Sequence, residues 1–158
     1  MLTPRLEDAV HDAFVELTSI GDHYLNAFAE ELSPGLHRGA AQPLLRLHRV
    51  GVERVSGLAA GLGLDATTVT RHLDDLEARG LITRRPDPAD RRATLVRLTP
   101  RAVARMDAAD AERRARLREL LADWPEADRY EFARLLSRFV HRPDLSAEIR
   151  AAGKDTHV

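Results

Sequence analysis

The chain has 158 residues, a formal net charge of −1, 44% hydrophobic and 31% charged residues, and no cysteine. This length favours a single domain with a sizeable core, and the composition is typical of a soluble globular protein. Because cysteine is absent, the sequence excludes disulfides, cysteine-ligated metal sites, thiol nucleophiles and sensing by cysteine oxidation.

Neither a membrane span nor a signal peptide is expected. No run of about 18 apolar residues occurs, and a bilayer-spanning helix needs roughly that length. The first residues, MLTPRLEDAVHDAF, are acidic and amphipathic, unlike a secretory signal. We therefore expect a cytoplasmic protein.

Charge is distributed unevenly along the chain. Residues 1–36 carry one arginine against seven acidic residues, which gives −6. Residues 79–105 carry eight arginines against two aspartates, which gives +6. An overall pI near 6.7 does not exclude a nucleic-acid partner, because phosphate contacts need only one basic face.

A long amphipathic helix is predicted from Pro4 to about Leu32. Ser33-Pro34-Gly35 ends it. A helix of this length is longer than a small domain can cover, which suggests an intermolecular partner; packing on its own chain alone is the alternative. Its apolar residues recur every three or four positions: Leu6, Val10, Phe14, Leu17, Ile20, Tyr24, Leu25 and Phe28.

Two short helices separated by a tight turn follow a shorter helix at Ala40–Arg49. Gly51 ends that helix, and Val52–Arg54 is expected to be a very short strand that pairs with a later hairpin. The first of the two helices carries Val55, Leu58, Ala59 and Leu62, and Gly61 and Gly63 are expected to end it. Asp65 is a suitable N-cap for the second, Ala66–Arg79, which should bury Val69, Leu73 and Leu76 before Gly80 ends it.

The outward face of the second helix has the side chains of a base-reading helix. Short hydroxyls and one guanidinium occupy its first turns, which in such helices enter the major groove. Ordinary polarity of a helix N-terminus is the alternative. His72 is expected to be structural or a phosphate contact, whereas Asp74 and Asp75 should orient arginines, since carboxylates repel phosphate. The candidate DNA contacts on this helix are Thr67, Thr68, Thr70 and Arg71.

A β-hairpin is predicted next. Leu81–Arg85 and Ala93–Leu98 are β-rich runs on either side of a polar, proline-containing loop, residues 86–92. Thr99 is then a candidate N-cap, with Pro100 at the first position of the following helix.

At these residues the chain resembles the MarR family of winged-helix transcriptional regulators. The matching segments are LAAGLGLDATTVTRHLDDLEARGLITR and DPADRRATLVRLT, within a resemblance that covers roughly Leu44–Leu98. The family usually has a glycine shortly after this LT, where the present chain has Arg101-Ala102; we expect the wing to be unaffected. The resemblance implies a mostly α fold with a small β-hairpin wing (α+β), with a winged helix-turn-helix core flanked by long dimerisation helices.

Wing arginines are further candidate DNA contacts. Arg91 and Arg92 lie at the tip, where an arginine can enter the narrow minor groove. The resemblance implies that Asp90 and Arg92 form a D-x-R pair that braces the wing and leaves Arg91 freer for DNA, although either guanidinium could take either role. Arg84 and Arg85 alternate across a strand, so one should face phosphate and the other pair internally; Arg84 is the candidate DNA contact.

Two further helices complete the chain. The first is predicted from Pro100 to about Asp123, with a lightly packed middle at Asp107–Arg116. Its apolar anchors are Val103, Met106, Leu117, Leu120 and Leu121. Pro125 is expected in the first turn of the last helix, whose wide apolar side comprises Tyr130, Phe132, Leu135, Leu136 and Phe139.

The resemblance also implies the domain organisation. We expect one MarR-like domain, 1–158, with dimerisation helices at 4–36 and 100–142, a winged helix-turn-helix at 40–98, and a tail at 143–158. In a homodimer, two recognition helices about 34 Å apart meet successive major grooves, which predicts a pseudo-palindromic operator.

A small-molecule effector is likewise implied only by the family. By analogy, polar contacts near Tyr24 and Leu45 would come from Asp22, His23, Asn26, His48 and Arg49. No histidine pair has metal-binding spacing, so no metal or cofactor is expected, with zinc sensing as the alternative.

The sequence therefore predicts a homodimeric, sequence-specific DNA-binding regulator, a repressor released by a small ligand. The alternative is a winged-helix module for protein interaction or DNA architecture without a ligand response. An enzyme is not expected, because the chain has no phosphate-binding glycine loop and no nucleophile motif. The operator, the regulated genes, the sign of regulation and the effector stay open.

Overall fold

The computed structural model describes residues 5–141. The predicted helix start at Pro4 and the tail at 143–158 lie outside these residues. The elements in chain order are α1 (Leu6–Leu32), α2 (Arg38–Val50), β1 (Val52–Arg54), α3 (Val55–Leu62), α4 (Ala66–Ala78), β2 (Ile82–Pro86), β3 (Thr94–Leu98), α5 (Pro100–Leu120) and α6 (Glu126–Val140). The predicted fold class, mostly helical with a small hairpin, is confirmed.

The three strands form one antiparallel sheet in the order β1-β3-β2. Val52 pairs with Arg97, and Ile82 pairs with Leu98. The predicted short strand that joins the hairpin is therefore confirmed. The second strand also includes Pro86, which the sequence had assigned to the loop. Pro86 is the last residue of an edge strand, a position where a missing N–H is tolerated.

Helix α3 ends at Leu62 because Gly63 adopts the left-handed conformation, with φ of 66°. Gly61 does not end the helix, which corrects the sequence expectation. A side chain there would meet the guanidinium of Arg46, with a Cβ only 2.2 Å from Cζ. Arg46 in turn donates two hydrogen bonds to Glu53, at 2.6 and 2.5 Å. Gly61 therefore makes room for an ion pair that joins α2 to β1.

The chain divides into two compact units, one up to Ala109 and one from Asp110 onward. In the first unit, α2, α3, α4 and the sheet surround a core of leucines that includes Leu44, Leu47, Leu58 and Leu73, all fully buried. Burying one such side chain contributes about 1.5–3 kcal/mol. The expected burial of Val69, Leu73 and Leu76 on α4 is confirmed.

Most of α1 lies outside this core. Within the helix only Phe28, Ala29 and Leu32 are buried, all in its last turns. Leu6, Leu17 and Ile20 are 79%, 52% and 63% exposed. The N-terminal part of the apolar stripe predicted from the sequence is therefore exposed at Leu6, Leu17 and Ile20, whereas Phe28 of the same stripe is buried.

The C-terminal helices also differ in detail from the sequence expectation. Helix α5 ends at Leu120, before the predicted Asp123, and Pro125 is the N-cap of α6, just before its first turn. Of the expected α5 anchors, Met106 is buried, whereas Val103, Leu117 and Leu120 are exposed. Within α6 no residue is buried, and Tyr130 is 72% exposed. None of the helices within residues 5–141 has the length and apolar character needed to cross a membrane.

Candidate nucleic-acid interface

Asp65 fixes the first turn of α4. One carboxylate oxygen accepts the backbone N–H of Thr68 at 2.9 Å, and the other accepts the Thr68 hydroxyl at 2.6 Å. These hydrogen bonds, the hydroxyl first, hold the pKa of Asp65 below its usual value. Thr68 is half-buried, and its hydroxyl donates to Asp65. A DNA contact by this hydroxyl, as predicted, would compete with that hydrogen bond.

The other three candidate contacts on α4 share an exposed face. Thr70 and Arg71 lie three and four residues after Thr67, and all three side chains are exposed. The Thr70 hydroxyl donates to the carbonyl of Ala66 at 2.7 Å, which leaves its oxygen able to accept another hydrogen bond. Arg71 makes no hydrogen bond or ion pair within residues 5–141, so all its donors face solvent.

The acidic residues of α4 orient arginines, as predicted. Asp74 accepts a hydrogen bond from Arg84 at 2.7 Å, and Asp75 accepts one from Arg79 at 2.7 Å. The carboxylates of Asp74 and Asp75 are thus both paired with arginines.

Arg84 and Arg85 alternate as the sequence predicts, and Arg84, the candidate DNA contact, is the one that pairs internally. The Arg84 side chain is 22% exposed and pairs with Asp74 at 2.7 Å and Glu77 at 3.5 Å. Arg85 is exposed. Arg84 thus links β2 to α4, and the exposed Arg85 is a further candidate phosphate contact.

The hairpin loop is held by Asp87, which the sequence reasoning counted only as a charge. Its side chain accepts hydrogen bonds from the N–H of Ala89 at 2.9 Å and from Nε of Arg54 at 2.7 Å. The Ala89 hydrogen bond, followed by that of Arg54, lowers the pKa of Asp87. An aspartate that accepts an N–H two residues on is a local turn signal that could have been read. The Arg54 partner, 33 residues away, could not.

Asp90 and Arg92, the expected D-x-R pair, are joined through the backbone of Arg92 and not through its guanidinium. Asp90 accepts the backbone N–H of Arg92 at 3.0 Å, and no ion pair joins its carboxylate to that guanidinium. The side-chain brace of the wing is therefore Arg54–Asp87. Both Arg91 and Arg92 are exposed, and neither guanidinium has a partner within the part of the chain that the structure describes.

A cleft of about 460 Å³ lies between α4 and the hairpin. Six basic or hydroxyl side chains from the three strands, α3, α4 and the hairpin loop line it, together with the carboxylate of Asp90. Its polar lining includes Arg54, Ser56, Thr70, Arg84, Arg92 and Thr94.

The basic segment contributes fewer free charges than its sequence suggests. Arg79 and Arg84 pair with carboxylates, and Arg105 donates to the carbonyl of Leu32. Within α4 and the hairpin, the exposed guanidiniums without a partner among residues 5–141 are Arg71, Arg85, Arg91 and Arg92, and Arg101 at the start of α5 is also exposed. Of the four on α4 and the hairpin, Arg92 also lines the cleft.

Comparison with known proteins agrees with this geometry. Residues 42–94 match the model of the MarR family. The chain is 32% identical to the HTH-type transcriptional regulator YxaD of Bacillus subtilis (strain 168) over 110 residues, 70% of this chain and 77% of that protein. The chain belongs to the MarR family. A match to the HTH-type transcriptional regulator YdgJ of the same bacterium is also 32% identical, over 68% of this chain and 66% of that protein, just under two thirds of YdgJ.

Solved structures show the same fold. RV1404 from Mycobacterium tuberculosis superposes with a TM-score of 0.76 at 22% identity, over 90% of this chain and 98% of that one. Streptococcus pneumoniae FabT, solved in complex with DNA, superposes with a TM-score of 0.68 at 18% identity, over 83% and 94% of the two chains. The departure of this MarR-family chain at Arg101-Ala102 does not disturb the wing: α5 begins at Pro100, and the Thr99 hydroxyl accepts the N–H of Ala102 at 3.2 Å.

The candidate effector residues of this MarR-family protein do not form one cluster in the single chain. Asp22 pairs with Arg38, at the start of α2, at 2.7 Å. His48, near the end of the same helix, contacts Asp107 at 2.8 Å. Residues ten apart on a helix are separated by about 15 Å along its axis. His23 donates to the Ser19 carbonyl at 2.8 Å, and two further candidates, Asn26 and Arg49, are exposed.

A metal centre is not formed by the residues that the structure describes. No group of three or more histidine, aspartate or glutamate side chains lies close enough together there to hold an ion. His37 and His72 are near neighbours, with ring centroids 6.3 Å apart, but they stand as a pair.

Proposed function

We propose that this protein is a homodimeric, sequence-specific DNA-binding regulator that acts as a repressor and is released from its operator by a small ligand. The observation that carries the proposal is the exposed Thr67, Thr70 and Arg71 face beside the unpaired arginines of the wing.

Base reading fits these side chains. Hydroxyls hydrogen-bond to either donors or acceptors on base edges, and an arginine binds O6 and N7 of guanine together. The tip arginines, Arg91 and Arg92, suit the electronegative minor groove beside the major groove that α4 would enter. Arg85 would add a phosphate contact. FabT, which has the same fold, was solved in complex with DNA, and this supports DNA binding by the present chain.

Dimerisation is supported by apolar surface that a single chain leaves in water. On α1, Leu6 and Ile20 are 79% and 63% exposed, and on α6, Tyr130 is 72% exposed. Contiguous apolar patches of this kind mark interaction sites. A second copy is the favoured partner because a two-fold dimer supplies two reading heads at the spacing of successive major grooves.

Release by a ligand requires two conformations of the dimer. The ligand must bind better to the conformation whose recognition helices are wrongly spaced for successive grooves, since equal affinity for both would shift nothing. Asp22, His23, Asn26, His48 and Arg49 stay candidate contacts for it. Asp22 pairs with Arg38 at the start of α2, whereas His48 lies near the end of that helix. A site that uses both side chains would therefore have to be extended.

Fluorescence anisotropy with the intergenic DNA beside the protein's own gene tests the proposal. Binding is compared with a scrambled duplex across a range of salt concentrations. A large preference with a steep salt slope is expected. Weak, equal binding leads to selection from randomised duplexes, and failure to enrich any sequence there would favour the alternative, a winged-helix module for protein interaction or DNA architecture. Light scattering tests the dimer, and a mass equal to one chain would contradict it.

A further inference from the structure

Arg79 joins the recognition helix directly to the segment that follows α1. It lies immediately after α4, and its side chain reaches the connection between α1 and α2. Nη1 donates to the hydroxyl of Ser33 at 3.0 Å and to the carbonyl of Pro34 at 2.8 Å, and Nη2 donates to the carbonyl of Gly35 at 3.1 Å. One guanidinium thus holds three consecutive residues that lie 44 to 46 positions earlier in the chain.

The orientation of this guanidinium is fixed from its own helix. Nε donates to the carboxylate of Asp75, one turn earlier, at 2.7 Å. The Arg79 side chain is only 26% exposed, so water competes weakly for its donors. A planar fork held at Nε presents its two terminal nitrogens in a fixed direction, which a lysine could not do.

The segment that Arg79 contacts, residues 33–35, is hydrogen-bonded to the last turns of α1. The N–H of Ser33 donates to Ala29 at 3.0 Å, and the N–H of Gly35 donates to the carboxylate of Glu30 at 2.8 Å. Arg105 of α5 donates to the carbonyl of Leu32, which is 1% exposed. A movement of the last turn of α1 would therefore be transmitted to the acceptors of Arg79.

We propose that Arg79 is a positioning residue that transmits the position of the C-terminal end of α1 to the recognition helix. Helix α1 packs on α2, α2 packs on α4, and buried residues of all three helices belong to one apolar core. Arg79 supplies the direct polar link. The inference rests on the proposed function, in which the uncovered face of α1 belongs to the dimer and the spacing of the two α4 helices sets operator affinity.

Loss of this link should affect spacing and leave the reading surface intact. The candidate contacts Thr67, Thr70 and Arg71 lie two to three turns from Arg79, and Asp65 still caps their helix. A dimer without the link should bind one half-site normally and should fit two half-sites of fixed separation poorly. Direct phosphate contact or simple destabilisation would not produce this pattern.

The test compares Arg79→Met, which keeps the apolar stem and removes all donors, with the wild type. Arg79→Lys keeps the charge without the fork. Arg118→Met removes an exposed arginine of α5 as the control for lost charge. Affinity is measured for an operator selected on the wild type, in its complete form and as an isolated half-site, across salt, after thermal melts establish that each variant is folded.

Arg79→Met and Arg79→Lys are each expected to lose about fivefold or more on the complete operator, in the range of typical coupling energies. Half-site affinity and the salt slope should stay at wild-type values, as should all three quantities for Arg118→Met. Equal losses on complete and half operators would overturn the proposal, as would no loss. A slope lower by about one would instead make Arg79 a phosphate contact.

A second measurement tests the link without DNA, so that failure of the proposed function can be recognised separately. The chain has no cysteine, so Ala27→Cys on α1 and Ala78→Cys on α4, both at exposed positions, give a unique pair for spin labels. Labelled chains are diluted with unlabelled ones to suppress distances between subunits. A broader distance distribution in the Arg79→Met background is expected, and an unchanged distribution would contradict the proposal even if the wild type binds no specific duplex.

Discussion

The carboxylate of Asp87 in the wing accepts the guanidinium of Arg54, with Nε at 2.7 Å and Nη2 at 2.6 Å. Arg54 ends β1 and is the N-cap residue of α3. The loop of the hairpin is therefore tied to the point where the sheet passes into the helix-turn-helix. Because Asp87 is only 6% exposed, this pair fixes the hairpin loop relative to the start of α3.

Replacing Asp87 by alanine should loosen the wing. The change removes the partner of Arg54 and the acceptor for the Ala89 N–H, so amide exchange should accelerate in residues 87–93 and operator affinity should fall several-fold. Hydrogen exchange by mass spectrometry and anisotropy measure the two effects. Asp87→Asn is the matched control, because an amide oxygen still accepts the Ala89 N–H while the charge is lost; it should fall between alanine and the wild type. Unchanged exchange in both variants would contradict the brace.

Arg91 and Arg84 should respond oppositely to replacement by alanine. Arg91 is exposed and unpaired among residues 5–141, so Arg91→Ala should weaken binding to all duplexes and lower the salt slope by about one, with no change in unfolding. Arg84 is paired with Asp74 and Glu77, so Arg84→Ala should lower the free energy of unfolding by roughly 0.5–1 kcal/mol and leave the slope unchanged. Anisotropy across salt and urea unfolding separate the two, and a slope change for Arg84 would restore it as a phosphate contact.

Features that depend on residues close together in the sequence could be predicted from the sequence alone. The ends of α3 and α4 are set by neighbouring residues, such as Gly63 after one helix and Asp65 before the next, and these were predicted. The strand at Val52–Arg54 was likewise predicted from a short run after Gly51. Each of these features depends on spacing or caps within a few residues.

The site was harder to predict because pairing between distant residues decides which arginines are free. Counting charge assigned all eight arginines of residues 79–105 to one basic surface. Arg79 and Arg105 instead hold the end of α1, and Arg84 pairs with α4. No local pattern distinguishes Arg84 from Arg85 beyond their alternation, and nothing near Asp87 indicates Arg54. Those assignments require the tertiary structure.

Gly61→Ala should destabilise the protein although it replaces a glycine within a helix. Helix propensity alone would favour alanine by roughly 0.5–1 kcal/mol. A Cβ at this position would lie 2.2 Å from Cζ of Arg46, so the guanidinium would have to move, which disturbs its hydrogen bonds of 2.6 and 2.5 Å to Glu53. Charge-assisted hydrogen bonds contribute about 1.5–3 kcal/mol, which exceeds the propensity gain.

A double-mutant cycle with Arg46→Ala checks this explanation by urea unfolding. In the Arg46→Ala background the obstacle is gone, so Gly61→Ala should become stabilising by roughly the propensity difference. If Gly61→Ala has the same effect in both backgrounds, the ion pair is not the reason for the glycine.

Acidification should destabilise the winged helix-turn-helix through His72. This ring is half-buried and lies parallel to His37, with centroids 6.3 Å apart. Burial first, then the charges of His37 and Arg71, lower the pKa of His72, while Asp75 opposes them. The folded state therefore binds fewer protons than the unfolded state, whose imidazole titrates near about 6.5. The stabilising contribution is present above that pH and is lost as the pH falls through it toward the lower folded pKa.

Urea midpoints should therefore fall between pH 7.5 and pH 5. The His72→Gln variant, which keeps a polar side chain that does not titrate, should show a smaller fall. A His72→Gln variant with the same pH dependence as the wild type would show that another group is responsible.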